Sequence, residues 1–70
     1  AMKITRVWVV VKPTEHSTLE DICFQVELAE LYKQYQGGLK PEDVYSFYDG
    51  KAAAETVAKH LLFKNGNLKA

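Results

Sequence analysis

The sequence predicts one small α+β domain, in which an antiparallel sheet of about three strands is packed by a C-terminal helix. Three observations lead there. Residues 4–12 are rich in valine and end at a proline, residues 44–48 are β-branched and aromatic, and residues 52–62 carry apolar side chains at helical spacing. The chain has 70 residues, a length typical of a single domain.

The first predicted strand covers about residues 3–12, and Pro13 closes it because proline cannot donate to a strand ladder. Its side chains alternate between two faces. One face carries Thr5, Val7, Val9 and Val11, and we expect it to meet the core. The other carries Ile4, Arg6, Trp8 and Val10, a mixture that is neither plainly exposed nor plainly buried. A strand that is apolar on both sides is usually central in a sheet or covered by a partner.

Residues 19–36 allow two interpretations. Ser17 as N-cap with Glu20 at N3 matches a capping box, and Gly37-Gly38 would end a helix. The alternation of Ile22, Phe24, Val26 and Leu28 with more polar residues instead indicates a strand. We favour a strand over about 21–28, antiparallel to the first, followed by a short helix near 29–36. The alternative is a β-α-β-α chain with one long helix over 18–36.

The third strand is predicted over about 44–48 and the last helix over about 51–63, with Asp49 as N-cap. The helix presents an apolar stripe, and Glu55 with Lys59 forms a favourable i, i+4 pair. The stripe consists of Ala54, Val57, Ala58, Leu61 and Leu62. We expect residues 65–70 to form a frayed tail.

The composition of the chain indicates which partners and which cellular location to expect. Nine basic and nine acidic residues give a formal net charge of zero, which weakens the argument for nucleic acid or an anionic membrane as partner. No apolar run reaches the length of a membrane span, and no signal peptide is recognisable. With a single unpaired cysteine, this pattern predicts a cytoplasmic protein. Ala1 before Met2 is interpreted as an expression scar.

Few residues of the sequence are candidates for catalysis or for binding a metal or a phosphate. Cys23 is the one candidate nucleophile, with His16 as a base and Glu15 to orient the imidazole, and this thiol enzyme or redox sensor is a remote alternative. His16, His60 and Cys23 do not have the spacing of a metal site. The glycines at 37 and 38 lack the further glycines of a phosphate loop. We therefore predict a non-enzymatic protein without cofactor or metal.

The aromatic residues and the short length of the chain suggest that the protein associates with itself and with other proteins. A domain of this length buries only about 60% of its unfolded surface, so we expect it to gain stability by self-association, as a homodimer. The predicted interface is an aromatic sheet face that also serves protein–protein interaction, because Tyr, Trp and Arg are enriched at interfaces. It consists of Arg6, Trp8, Val10, Tyr45 and Phe47. The alternative is a nucleic-acid-binding accessory protein that stacks bases on Trp8, Tyr45 and Phe47.

Overall fold

The computed structural model describes residues 5–67 and confirms the small α+β architecture. Two single-turn 3₁₀ helices cover Leu28–Glu30 and Pro41–Asp43. The six main elements in chain order are β1 (Arg6–Val11), α1 (Leu19–Ile22), β2 (Cys23–Glu27), α2 (Leu31–Gln36), β3 (Val44–Tyr48) and α3 (Lys51–Lys64).

The sheet has the strand order β2-β1-β3 and both pairings are antiparallel, so β1 is central as its two apolar faces predicted. Val9 lies opposite Phe24 of β2 and Phe47 of β3. Val10 lies opposite Cys23 and Ser46. After Val10 the register shifts, so that Val11 lies opposite Val44 and Tyr45 is the extra residue of a β-bulge.

The segment from 19 to 36 follows the favoured interpretation, and the single long helix over 18–36 is wrong. A strand pairs with β1, but it begins at Cys23 because residues 19–22 form one helical turn. The cap of that turn is Thr18 with Asp21 at N3, one residue later than predicted. The reason is local: the Thr18 N–H donates to the Asp21 carboxylate at 2.8 Å, whereas the Ser17 hydroxyl accepts from the Thr14 N–H at 2.8 Å.

The C-terminal helix has the predicted position and the predicted stripe. Ala54, Ala58 and Leu62 are fully buried, while Val57 and Leu61 pack beside them. Two details differ from the prediction. Its N-cap is Gly50, without a side-chain cap from Asp49. Glu55 forms its ion pair with Lys51 at 3.5 Å, one turn before Lys59.

The two faces of the sheet differ in what covers them. The helix-covered face is the surface on which α3 packs, and it consists of Arg6, Trp8, Val10, Cys23, Gln25, Glu27, Ser46 and Tyr48. The open face is the opposite surface, formed by Val7, Val9, Val11, Phe24, Val26, Val44 and Phe47, and Tyr45 of the bulge is exposed at its β3 side. The prediction that the Thr5–Val11 side meets the core is confirmed for Val7 and Val9, but the larger core cluster lies on the other side, around Val10. Val10 and the small alanines of α3 let the helix approach the other side closely, while Val7 and Val9 form a second, smaller cluster with Val26.

The end of α3 differs from the predicted frayed tail at residues 65–67. The Asn67 side-chain amide donates to the carbonyls of Thr14 at 3.0 Å and Ser17 at 2.8 Å, and the Asn67 backbone N–H donates to Leu62. Gly66 turns the chain back with a φ of +85°, which glycine adopts without steric cost. These contacts fix residue 67 against the loop between β1 and α1, and residues 68–70 lie outside the described range.

Candidate functional site

The five residues predicted as one interface lie on opposite sides of the sheet. Arg6, Trp8 and Val10 belong to the helix-covered face, whereas Phe47 lies opposite Val9 and belongs to the open face. Tyr45, two residues before Phe47, is exposed with it. The register explains the separation, because residues directly opposite each other in an antiparallel pair share a face. The aromatic surface available to a partner is therefore built around Tyr45 and Phe47.

The β1 members of the predicted interface are engaged within the chain. Val10 is fully buried beneath α3, which excludes it from a contact surface. Arg6 Nε donates to Glu27 Oε1 at 2.6 Å across the β1–β2 pair. Trp8 is half-buried against the core, and Lys51 Nζ lies 5.9 Å from the centroid of its indole ring. The covering over Trp8 thus comes from this chain's own helix.

The open face is apolar in its centre and aromatic at its rim. Val9 is fully buried, with Phe24 opposite it on one side and Phe47 on the other. From α2, Leu31 packs against this cluster. Tyr45 is nevertheless 52% exposed and Phe47 43% exposed, so the β3 side of the face is left uncovered.

Strand β3 forms one outer edge of the sheet, with no further strand beside it within residues 5–67. Its sequence, Val-Tyr-Ser-Phe-Tyr, contains no charge, no proline and no glycine. Natural sheets usually protect an exposed edge with charged residues or proline, because free backbone N–H and C=O groups pair readily with another strand. A bulge at Tyr45 is the one protective irregularity on β3. The other outer strand, β2, carries Glu27.

Ser46, in the middle of β3, contains a polar atom without a partner. Its Oγ is buried and makes no hydrogen bond to any residue between 5 and 67. An unsatisfied buried hydroxyl costs about 1–3 kcal/mol. This is one of the features that sequence reasoning missed, because an isolated serine in a strand carries no signal of burial.

Cys23 is buried, with 8% exposure, at the start of β2. Burial raises the pKa of its thiol, the negative charge of Glu55 raises that pKa further, and Lys51 opposes them. A thiol whose pKa is raised is a poor nucleophile at neutral pH. His16 is exposed in the loop at 13–18 and does not line the groove that Cys23 forms with Trp8 and Glu55. The structure therefore offers little support to catalysis at this cysteine.

No group of three or more histidine, cysteine or acidic side chains within the described chain is arranged to hold a metal ion. Among the helices of residues 5–67, none combines the length and apolar character that crossing a bilayer requires. Comparison with protein-family models, curated proteins and solved structures finds no match for this chain. The two sheet edges and the open face are the surfaces of residues 5–67 that a partner could contact.

Proposed function

We propose that this protein is a non-enzymatic interaction module that functions as a homodimer, formed by pairing of the β3 edges of two copies. The observation that carries the proposal is the uncharged β3 edge next to Tyr45 and Phe47, two aromatic rings that are about half exposed. Its single cysteine, which has no disulfide partner in the sequence, suits a reducing cytoplasm.

The pairing has a definite geometry. Two antiparallel β3 strands related by a two-fold axis at Ser46 overlap along the whole of Val44–Tyr48. Tyr45 then lies opposite Phe47 of the second copy, and the same pair occurs again across the axis. Ser46 lies opposite Ser46 of the second copy, which places a second hydroxyl across from the one that lacks a partner.

The expected gain in free energy comes from several small terms. Each aromatic cross-strand pair contributes roughly 0.2–1 kcal/mol, and the free N–H and C=O groups of each edge gain hydrogen bonds. The product is a six-stranded sheet with both α3 helices on one side, which is an ordinary sheet size. Both open faces then join into one continuous apolar surface, so the aromatic rings are sheltered along the junction.

The charges at the strand ends give this pairing a characteristic salt dependence. Asp43 lies just before β3 and Asp49 just after it, so the register centred on Ser46 brings Asp43 of one copy near Asp49 of the second copy, where the like charges repel. Added salt screens such exposed charges. We therefore expect self-association to strengthen from low to moderate ionic strength.

Sedimentation velocity on full-length protein at tens of micromolar tests the proposal. We expect wild type to sediment as a dimer and Phe47→Lys as a monomer, because a lysine on the edge blocks strand pairing. The matched control is Phe63→Lys, since Phe63 is 54% exposed and belongs to α3 rather than to the β3 edge. This control should remain dimeric. A monomeric wild type, or two variants that behave alike, would contradict the proposal.

The nucleic-acid alternative remains a prediction, but the geometry gives it less support. Trp8 lies on the helix-covered face, so it cannot stack bases on the same platform as Phe47, and Arg6 is paired with Glu27. Binding to single strands would weaken steeply as salt is added. This is the opposite of the trend expected for dimerisation, so one salt series separates the two hypotheses.

A further inference from the structure

A groove of about 470 Å³ lies at the opposite edge of the sheet from β3. The single-turn helix α1 supplies Leu19 and Glu20, and strand β2 supplies Gln25. Trp8 contributes its indole, while Lys51 and Glu55 come from the beginning of α3. The size is within the range of clefts that bind small ligands or a single side chain.

The groove already holds a cation over an aromatic ring. Lys51 Nζ lies 5.9 Å from the centroid of the Trp8 ring, at the outer limit of a cation–π contact. The same ammonium is 3.5 Å from Glu55, and the Lys51 side chain is 67% exposed. A lysine held by two long contacts at the surface is easily displaced, and its departure would uncover the indole.

The charges of the groove favour a positively charged occupant. Glu20 and Glu55 provide two carboxylates and Lys51 one ammonium, which leaves one negative charge in excess. Guanidinium suits this combination better than ammonium, because its planar group stacks on an aromatic ring while its N–H groups bind carboxylates.

The backbone beside the groove favours a peptide over a free cation. Strand β2 has β1 on one side and no strand on the other within residues 5–67. An extended segment can add to such an edge through main-chain hydrogen bonds, and its side chains then enter the pockets beside the strand. Specificity in this binding mode comes from the side chain that reaches the pocket.

We propose that this groove binds an arginine side chain of an extended segment from a partner protein, added as a strand to the outer edge of β2. The guanidinium replaces Lys51 over the Trp8 ring and is balanced by Glu20 and Glu55. The β2 edge lies away from β3, so the proposal stands or falls independently of dimerisation.

The test is a fluorescence titration, because Trp8 is the single tryptophan of the chain and therefore reports directly on the groove. The probe is the peptide Ac-Ser-Val-Arg-Val-Ser-NH₂, and the control replaces arginine by citrulline, which is neutral and of nearly the same shape. We expect the arginine peptide to change Trp8 emission at lower concentration than the citrulline peptide. It should also shift the backbone amide resonances of β2 and leave those of β3 unchanged.

Two variants with opposite expected effects sharpen the test. Lys51→Ala removes the competing ammonium, so the arginine peptide should bind about 2- to 5-fold more tightly, the equivalent of an exposed cation–π contact. Glu20→Gln removes a carboxylate that is not paired with Lys51 and should weaken binding by a similar factor. Equal titrations with arginine and citrulline, or weaker binding by Lys51→Ala, would overturn the proposal. Ethylguanidinium binding as tightly as the peptide would overturn the assignment to a peptide strand.

Discussion

Strand β1 contributes side chains to both faces of the sheet, but the two faces are covered to different extents. On the helix-covered face, Val10 packs beneath Ala54, Ala58 and Leu62, and all four side chains are fully buried. On the open face, Val9 is equally buried, but its cluster is smaller and ends in aromatic rings that reach the surface. One face thus holds the monomer together, and the other is available for association. Substitutions should separate these two roles.

The largest expected effect is on the helix-covered face. Leu62→Ala leaves a cavity among fully buried side chains and should lower the free energy of unfolding by roughly 2–5 kcal/mol. For a domain of this size that is a large share of the total stability. Urea unfolding followed by circular dichroism measures the change. Its neighbour Phe63, exposed on the same helix, provides the control: Phe63→Ala should change stability by less than about 1 kcal/mol. Equal losses in both variants would contradict the assignment of the core.

The next largest effect is expected at Asn67, whose side chain holds the end of α3 against the loop at 13–18. Asn67→Ala removes the amide that donates to Thr14 and Ser17, and with a typical net contribution per hydrogen bond the loss should be about 1–2 kcal/mol. Amide hydrogen exchange in the loop at 13–18 should rise along with it. Asn67→Asp serves as the matched variant, because a carboxylate cannot donate to these carbonyls. If neither variant accelerates exchange there, the side-chain contact does not hold the loop.

A smaller, pH-dependent effect is expected at α1, which packs beside α3. The Thr18 backbone N–H donates to the Asp21 carboxylate and lowers the pKa of that group below its ordinary value. Because the folded pKa lies below the unfolded one, the contribution is complete above about pH 4 and is lost as pH falls through the folded pKa. Asp21→Asn should therefore lose less stability than wild type between neutral and acidic pH. Parallel pH dependences in urea unfolding would count against this cap.

The smallest effect is expected in the chemical reactivity of Cys23, which reports how tightly α3 packs on the helix-covered face. Its thiol is buried and its pKa is raised, so iodoacetamide should react with it more slowly at neutral pH than with a free cysteine peptide. Leu62→Ala, which loosens the same cluster, should accelerate the reaction. A wild-type rate equal to that of the peptide would contradict both the burial and the raised pKa. Such a rate would favour a reactive thiol at Cys23.

Local sequence patterns were sufficient for β1, β3 and α3, since each pattern extends over most of its element. The valine-rich run, the segment Val44–Tyr48 and the stripe from Ala54 to Leu62 are all found where they were predicted. Local patterns predicted residues 19–36 less well, because the capping residues indicated a helix while the alternation of apolar side chains indicated a strand. Both signals proved partly right, because one helical turn capped by Thr18 leads directly into β2.

The grouping of the site residues could not be predicted, because it depends on strand register and on which side α3 packs. The aromatic residues of β1 and β3 were expected to share a face. Pairing of Val9 with Phe47 instead separates Trp8 from Phe47 and leaves the indole beside Lys51. Neither the register nor the side chosen by α3 leaves a local trace in a single sequence. Once the pairing is known, the alternation of side chains along each strand gives the two faces directly.

Hydrogen exchange of the β3 backbone amides, compared at low and high protein concentration, tests the central claim most directly. If two copies pair through this edge, the alternate amides of Val44–Tyr48 that face away from β1 should be exposed in the dilute monomer and protected at high concentration. The outer amides of β2 should exchange at the same rate under both conditions. Outward β3 amides that exchange equally fast at every concentration would contradict pairing at this edge.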